Sequence, residues 1–116
     1  MSRQRAEQAG RRAETIAAWY LRLKGWRIVD RRVRTPVGEV DIVARRLGMT
    51  AFVEVKARNT VAGLDHAIDH HRLRRVAAAA SAISARPSFP KGDIRIDVIL
   101  IAPGRIPKHL PNVWTG

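Results

Sequence analysis

The chain has 116 residues, of which 46% are hydrophobic, so we expect one folded domain over residues 1–116 and not a disordered chain. The absence of cysteine excludes disulfides and thiolate metal sites, and no stretch approaches the ~20 apolar residues that a membrane span requires. The formal net charge of +12 favours a phosphate-rich partner, nucleic acid above all.

The positive charge has two possible origins besides nucleic-acid binding. An anionic membrane surface attracts the same charge, and an arginine-rich proteome would produce it without any partner, since the chain has eighteen arginines and four lysines. The size of the charge on so short a chain favours nucleic acid, with DNA preferred and no membrane partner. The charged N-terminal sequence lacks the apolar segment of a secretory signal, so we expect a cytoplasmic protein.

The first predicted element is a helix over residues 4–24. Gly25 after Lys24 predicts its end, because glycine readily adopts the backbone of a helix C-cap. From the residues alone, Glu14 is an exposed ion-pair partner of Arg11 or Arg12. Seven residues recur at spacings of three and four and predict the buried stripe: Ala6, Ala9, Ala13, Ile16, Ala17, Tyr20 and Leu21.

Three strands are predicted to follow. Residues 26–33 alternate weakly, as an edge strand does, and residues 35–38 (TPVG) predict a turn. Residues 38–58 (GEVDIVARRLGMTAFVEVKAR) predict two strands joined by a tight turn at Leu47-Gly48. This stretch carries three of the ten acidic residues of the chain, on strands whose other residues favour burial.

The register of this hairpin decides its chemistry. A turn of two or four residues makes paired residue numbers sum to 95, which places Asp41 opposite Glu54 and Glu39 opposite Lys56, on one face. Directly opposed Cβ atoms are roughly 4.5–5.5 Å apart. Two carboxylates at that distance repel each other, and a divalent cation between them would remove the repulsion. A turn of odd length would move Glu54 to the other face, and an arginine that reached the pair would serve in place of the cation.

Residues 65–85 predict the second long helix. His66 and His70 have the i, i+4 spacing of a zinc site, with Asp69 near. Because the sequence offers no third ligand, a solvated or phosphate-facing basic face is favoured over zinc. The predicted buried stripe consists of Ile68, Val76, Ala77, Ala80 and Ile83.

Residues 93–101 (DIRIDVILI) predict a strand that ends apolar on both faces, as a central strand does. Arg95 and Asp97 share one of its faces and are placed to pair. The tail contains two prolines and predicts a short edge segment, with Trp114 packed on the core.

The order of helix, three strands, helix and strand, with Asp41 on one strand and Glu54-Val55-Lys56 on the next, resembles the PD-(D/E)xK nuclease superfamily. Five further phrases resemble the YraN-like family of small bacterial proteins over roughly residues 10–114: Ala13-Glu14, YL…GW, GEVDIVA, FVEVKAR and RIDVI. That family has been likened to archaeal Holliday junction resolvases. The resemblance implies a restriction-endonuclease-like α/β fold, with a central mixed sheet flanked by helices.

The resemblance implies metal-dependent hydrolysis of DNA phosphodiester bonds, with branched or junction DNA as the substrate. Asp41, Glu54 and the backbone carbonyl of Val55 would bind Mg²⁺ or Mn²⁺, ions that prefer hard oxygen ligands. Lys56 would orient the attacking water and stabilise charge on the phosphate. Glu39 would position Lys56 or bind metal weakly, and Glu14 would act from the first helix.

Four arginines are expected to hold the phosphate backbone: Arg58, Arg72, Arg74 and Arg75. Two positions depart from the family pattern, since Ala13 stands where glycine is expected and Arg72 where lysine is expected. Arginine at position 72 favours a phosphate contact over proton transfer. No residue pattern suggests readout of bases, so we expect recognition of nucleic-acid structure.

Two alternatives stay open. The chain could be a non-catalytic nucleic-acid-binding module of the same fold, or a basic RNA- or ribosome-associated protein whose acids are structural. Cutting a junction requires two cuts in opposed strands, so a resolvase of this size would act as a homodimer.

Overall fold

The computed structural model describes the backbone of residues 3–58 and 69–114, with side chains from residue 10 onward. The fold is mixed α/β, a five-stranded sheet flanked by two helices. The strand order is β1-β2-β3-β4-β5, and β3 and β4 form the parallel pair. In chain order the elements are α1 (Arg3–Leu23), β1 (Arg27–Thr35), β2 (Gly38–Arg46), β3 (Met49–Ala57), α2 (His70–Ser84), β4 (Asp93–Ile101) and β5 (Lys108–Leu110).

The predicted elements are present with small shifts. The edge position of β1, the inner position of β4 and the short β5 are confirmed. The predicted start of the second helix, at residues 65–68, lies outside the described residues. Asp69 is the N-cap of α2, because its carboxylate accepts a hydrogen bond from the His71 amide. No helix in the described chain has the length and apolar character to cross a membrane.

Side chains on the two faces of the sheet form two separate cores, because successive residues of a strand point to opposite faces. One core lies under α1 and contains Leu21, Trp26, Ile42, Ala51, Val53 and Ile99. The other lies under α2 and contains Phe52, Leu73, Val76, Ala79, Ile83, Ile96, Val98 and Leu100.

The predicted helix stripes were partly wrong. Ile16, predicted to be buried, is 42% exposed, whereas Ala18 is fully buried. On α2, Leu73 and Ala79 are buried but were missing from the predicted stripe. In both helices, the sheet covers a face rotated slightly from the one that the apolar residues alone indicate.

Asp97 is a fully buried carboxylate that fastens the C-terminal tail to β4. Arg95 binds both of its oxygens, as predicted, and His109 Nε2 lies 2.7 Å from Oδ2. The backbone amide of Asn112 donates a third bond, of 3.0 Å. Burial alone would raise the pKa of Asp97, but the bonds from His109, Asn112 and Arg95 outweigh burial and lower it. The tail is therefore held by an ionised group that is fully paired.

Gly38, the first residue of β2, allows α2 to approach the sheet closely. A Cβ at this position would lie 2.5 Å from the carbonyl oxygen of Arg75 on α2. The same helix carries Arg72 three residues earlier. A bulkier residue at position 38 would therefore push away the helix segment that faces the carboxylates of β2 and β3.

We expect Gly38→Ala to lower the free energy of unfolding by about 1–3 kcal/mol, because the added methyl overlaps backbone that cannot turn aside. Urea unfolding measures the change. Gly10→Ala is the control, because Gly10 lies within α1 and an added Cβ there would have no neighbour within 4 Å. This change should raise the free energy of unfolding by up to ~1 kcal/mol, since alanine favours a helix more than glycine does. Equal stabilities of the two variants would contradict the close approach.

Candidate active site

The β2–β3 hairpin has the predicted register. Leu47 and Gly48 form a two-residue turn with φ of 51° and 77°, the two left-handed residues that a type I′ turn requires. The pairing runs from Arg46 opposite Met49 to Ile42 opposite Val53, so paired numbers sum to 95. The next positions along the two strands are Asp41 and Glu54.

The structure brings Asp41 and Glu54 together at this end of the hairpin. The backbone amide of Val55 donates a 2.8 Å hydrogen bond to Asp41 Oδ2. This side-chain bond links the two strands just beyond the last backbone pair, Ile42 and Val53. The Glu54 side chain is only 3% exposed. A cavity of about 230 Å³ is lined by both carboxylates with Glu39, Arg72, Arg75 and Val76. The cavity therefore opens between the sheet and α2.

Two cations contact the same oxygen of Glu54. Lys56 Nζ lies 3.1 Å from Oε1, and Arg72 Nη2 donates to Oε1 at 2.8 Å. The Lys56 side chain is 11% exposed, whereas that of Arg72 is 56% exposed. Glu54 is therefore a buried carboxylate whose charge is balanced by one buried and one largely exposed cation.

Glu39 and Lys56, which the predicted register places opposite each other, do not contact each other as an ion pair. Lys56 contacts Glu54, which lies two residues away on the same strand and face. Glu39 is exposed and lies 3.7 Å from Arg34, its cross-strand partner on β1. Each side chain pairs with the nearest opposite charge. For Glu39 that charge is Arg34 of β1, a strand that the register of the β2–β3 hairpin does not take into account.

Glu14 points inward from α1, and its side chain is 13% exposed. Its Oε1 accepts a 2.8 Å hydrogen bond from Arg32 Nε, and Arg31 Nη2 lies 3.9 Å away. The exposed pair with Arg11 or Arg12, expected from the residues alone, is therefore wrong. Glu14 does not line the carboxylate cavity, although its charge makes a small contribution to raising the pKa of Asp41; its role at the site stays a prediction.

Arg32 is a residue of the site that the sequence patterns did not indicate. Arg31 pairs with Ile42 and Val33 with Val40, which places Arg32 opposite Asp41. Its φ of 53° is left-handed, uncommon for a strand residue with a side chain. The sequence could have indicated this position. The turn at residues 36–37 makes paired residue numbers of β1 and β2 sum to 73, which places Arg32 opposite Asp41.

The left-handed residue coincides with a break in the alternation of β2. Ile42 and Ala44 pack in the core under α1, whereas Val40 packs with Val43 in the core under α2. Strict alternation would place Val40 with Ile42. The break falls at Asp41, so the local irregularity of the sheet lies at the carboxylate itself.

The pKa of Asp41 is raised from 3.8 to about 7. Burial is the largest cause and the negative charge of Glu54 the second; the Val55 amide partly offsets them, and Glu14 and Glu39 add smaller contributions. The site therefore favours either a proton on Asp41 or a cation beside it.

Comparison with known proteins places these residues in a family. Residues 13–101 match the family described as "Uncharacterised protein family UPF0102". The chain belongs to UPF0102. The matched segment runs from the residue before Glu14 to the end of β4, so it includes every acid of the site.

Three similar UPF0102 proteins cover almost the whole chain. The protein from Sphingopyxis alaskensis is 61% identical over 98% of both chains, and that from Erythrobacter litoralis is 57% identical over the same shares. The protein from Rhizorhabdus wittichii is 59% identical over 96% of this chain and 94% of its own. The YraN-like resemblance drawn from the sequence is thereby confirmed at the level of the family.

The donors at this UPF0102 site fit a hard divalent ion. Asp41 and Glu54 offer carboxylate oxygens in one cavity, and burial together with the charge of Glu54 raises the pKa of Asp41. Within the described residues, no three His, Asp or Glu side chains come close enough to hold a metal by themselves. An ion here would therefore need a backbone carbonyl and water as well, the kind of shell in which Mg²⁺ commonly binds.

The remaining predicted residues are dispersed. Arg72 and Arg75 line the carboxylate cavity, whereas Arg58 lies at the end of β3 and donates to its neighbouring carbonyl, that of Ala57. Arg74 is exposed on α2 and does not line the cavity. Of the zinc pair, His66 lies outside the described residues, and the His70 ring packs on Trp114 with centroids 4.9 Å apart.

The raised pKa of Asp41 predicts that the free energy of unfolding depends on pH. Asp41→Asn should remove this dependence, and its amide oxygen can still accept the hydrogen bond from the Val55 amide. The pKa of Asp41 is about 7 in the folded protein and 3.8 in the unfolded chain. The stability that the protonated carboxyl contributes is therefore fully present below pH 3.8 and is lost as the pH rises through about 7. Relative to the variant, the wild type should lose up to about 4 kcal/mol across this range.

Urea unfolding in EDTA at a series of pH values measures this difference. Asp93→Asn, at an exposed carboxylate at the start of β4, controls for the change in net charge. A difference between wild type and Asp41→Asn that stays constant with pH would show that Asp41 is not the titrating group.

Proposed function

We propose that this UPF0102 protein is a metal-dependent nuclease that hydrolyses DNA phosphodiester bonds, with a restriction-endonuclease-like fold. One observation carries the proposal: Asp41 and the buried Glu54 share one cavity, and Lys56 lies 3.1 Å from Glu54. The central sheet between two helices and the register of the hairpin support the fold.

The roles of the residues follow from their positions. Asp41, Glu54 and the carbonyl of Val55 would hold Mg²⁺ or Mn²⁺, which supplies Lewis-acid stabilisation of the phosphate charge when bound. Lys56 is held at the metal-ligand oxygen and is placed to orient water and to hydrogen-bond a phosphate oxygen. Arg75 lines the same cavity and supplies positive charge for the phosphate backbone.

Arg72 has a second role, because it pairs with one oxygen of the carboxylate that would bind the metal. Glu54 Oε1 already contacts two cations, so a divalent ion that binds Glu54 through this oxygen would compete with Arg72. The Arg72 side chain is largely exposed and can move to a phosphate, whereas Lys56 is buried and stays. Binding of substrate phosphate and of metal should therefore assist each other.

Arg72→Ala should tighten Mn²⁺ binding by about 2–5-fold, the effect of removing a competing ion pair that is partly exposed. Isothermal titration of Mn²⁺ into the protein, without DNA, measures it. Arg74→Ala is the control, because it removes the same charge from the exposed part of the same helix. Weaker binding to Arg72→Ala than to wild type would mean that Arg72 supports the metal and does not compete with it.

The nuclease proposal is tested with branched, flapped, single-stranded and duplex DNA in Mg²⁺ or Mn²⁺. We expect Asp41→Ala and Lys56→Ala to lower cleavage at least ~100-fold, the usual loss when a group that stabilises the transition state is removed. Asp93→Ala, which removes an acid from the start of β4, should cleave as the wild type does. Metal-dependent cleavage that survives both site substitutions would refute the assignment.

A non-catalytic nucleic-acid-binding module is the second candidate. The observation that favours it is the balance of charge at Glu54, which Lys56 and Arg72 achieve without metal. Binding of DNA that is unchanged in EDTA, together with no cleavage and no heat on metal titration, would support this alternative. The RNA-associated role, the homodimer and the cytoplasmic location stay predictions.

A further inference from the structure

A second concave surface, here called the end groove, lies where the parallel strands β3 and β4 end. Its walls come from α1, from the last residues of β3 and from the turn after β4, and its volume is about 780 Å³. In open sheets with parallel strands, the space beyond the carboxyl ends of the strands is the usual place for ligands. The end groove is separate from the carboxylate cavity, and Lys56 lies beside both, because it lines the groove and contacts Glu54.

The end groove is strongly positive. Four cations line it, and no carboxylate does among the described lining residues. Arg58 is held at the wall, since its amide donates to Ile101 and its guanidinium to the Ala57 carbonyl. A concave surface lined by charges of one sign concentrates ligands of the opposite sign. The four cations are Arg12, Lys56, Arg58 and Arg105.

Between the charges, the groove is apolar. Ile16 of α1 is 42% exposed, although the helix stripe predicted it to be buried. Val55, Ile101 and Ala102 continue the apolar surface. Apolar surface flanked by arginines suits a chain of phosphates with exposed bases, whereas the stacked bases of a duplex would not reach this surface.

We propose that the end groove binds an unpaired DNA strand and leads its backbone to Lys56. This inference names the substrate class of the site proposed above and rests on that proposal. The arginines of the groove contact phosphates on one side of Lys56, and the bases rest on Ile16 and its apolar neighbours. Flapped or branched DNA, in which an unpaired strand leaves a duplex, would then be the preferred substrate.

The test is fluorescence anisotropy in EDTA, so that binding is measured without cleavage. The probe is a labelled oligothymidylate of about twelve nucleotides, and the variant is Arg12→Gln with Arg58→Gln and Arg105→Gln. We expect at least ~10-fold weaker binding at low salt and a drop of about 2 in the slope of log affinity against log salt, since each phosphate contact to a single strand adds ~0.7.

The matched control removes the same charge at the opposite end of the sheet, by Arg27→Gln, Arg86→Gln and Lys91→Gln. It should weaken binding far less than the groove variant. Equal loss in both variants would mean that net charge and not the groove binds the strand, and would overturn the proposal. Tighter binding of a duplex of the same length, or of oligouridylate, would overturn the assignment to unpaired DNA.

Ile16→Ser separates the apolar surface from the charge. Because Ile16 is well exposed, the variant should fold, which urea unfolding checks. We expect several-fold weaker binding of oligothymidylate with an unchanged salt slope, because no phosphate contact is lost. Unchanged affinity would overturn the placement of bases on this surface. The binding assay contains no metal, so it is independent of the cleavage assay. The groove proposal can therefore be refuted while the nuclease proposal stands, and the nuclease proposal can be refuted while the groove proposal stands.

Discussion

The hydrogen bond from the Val55 amide to Asp41 holds the carboxylate at the point where the β2–β3 pairing ends. It fixes Asp41 in the same cavity as Glu54, whose side chain is almost fully buried. Burial, and after it the repulsion between the two carboxylates, raises the pKa of Asp41 to about 7. Two cations, Lys56 and Arg72, contact Glu54 and balance its charge.

Those cations differ in how freely they can move. Lys56 is buried against Glu54, whereas Arg72 reaches the same oxygen from the exposed surface of α2. Arg32 holds Glu14 from a left-handed position on β1. A strained backbone residue and a carboxylate with a shifted pKa at one place are features that proteins concentrate at functional sites. These features are among those on which the proposed metal site rests.

The sheet places two surfaces beside Lys56. On the face under α2 lies the carboxylate cavity, and Gly38 lets the helix come close enough for Arg72 to reach Glu54. At the ends of the parallel strands lies the basic end groove. In the proposed arrangement, a strand bound in the groove would reach the carboxylates by way of Lys56, so strand binding and chemistry would use two separate but neighbouring surfaces.

The sequence by itself determined the hairpin register and the bounds of β4, because a two-residue turn and an alternation of period two are local properties. It also identified Asp41, Glu54 and Lys56 as neighbours and, through its resemblance, the family. Only the tertiary structure decided the ion-pair partners: Lys56 with Glu54, Arg72 with the same oxygen, and Arg32 with Glu14. Long cationic side chains take the nearest carboxylate, and which one is nearest depends on how α1, α2 and β1 pack on the hairpin, which no local pattern records.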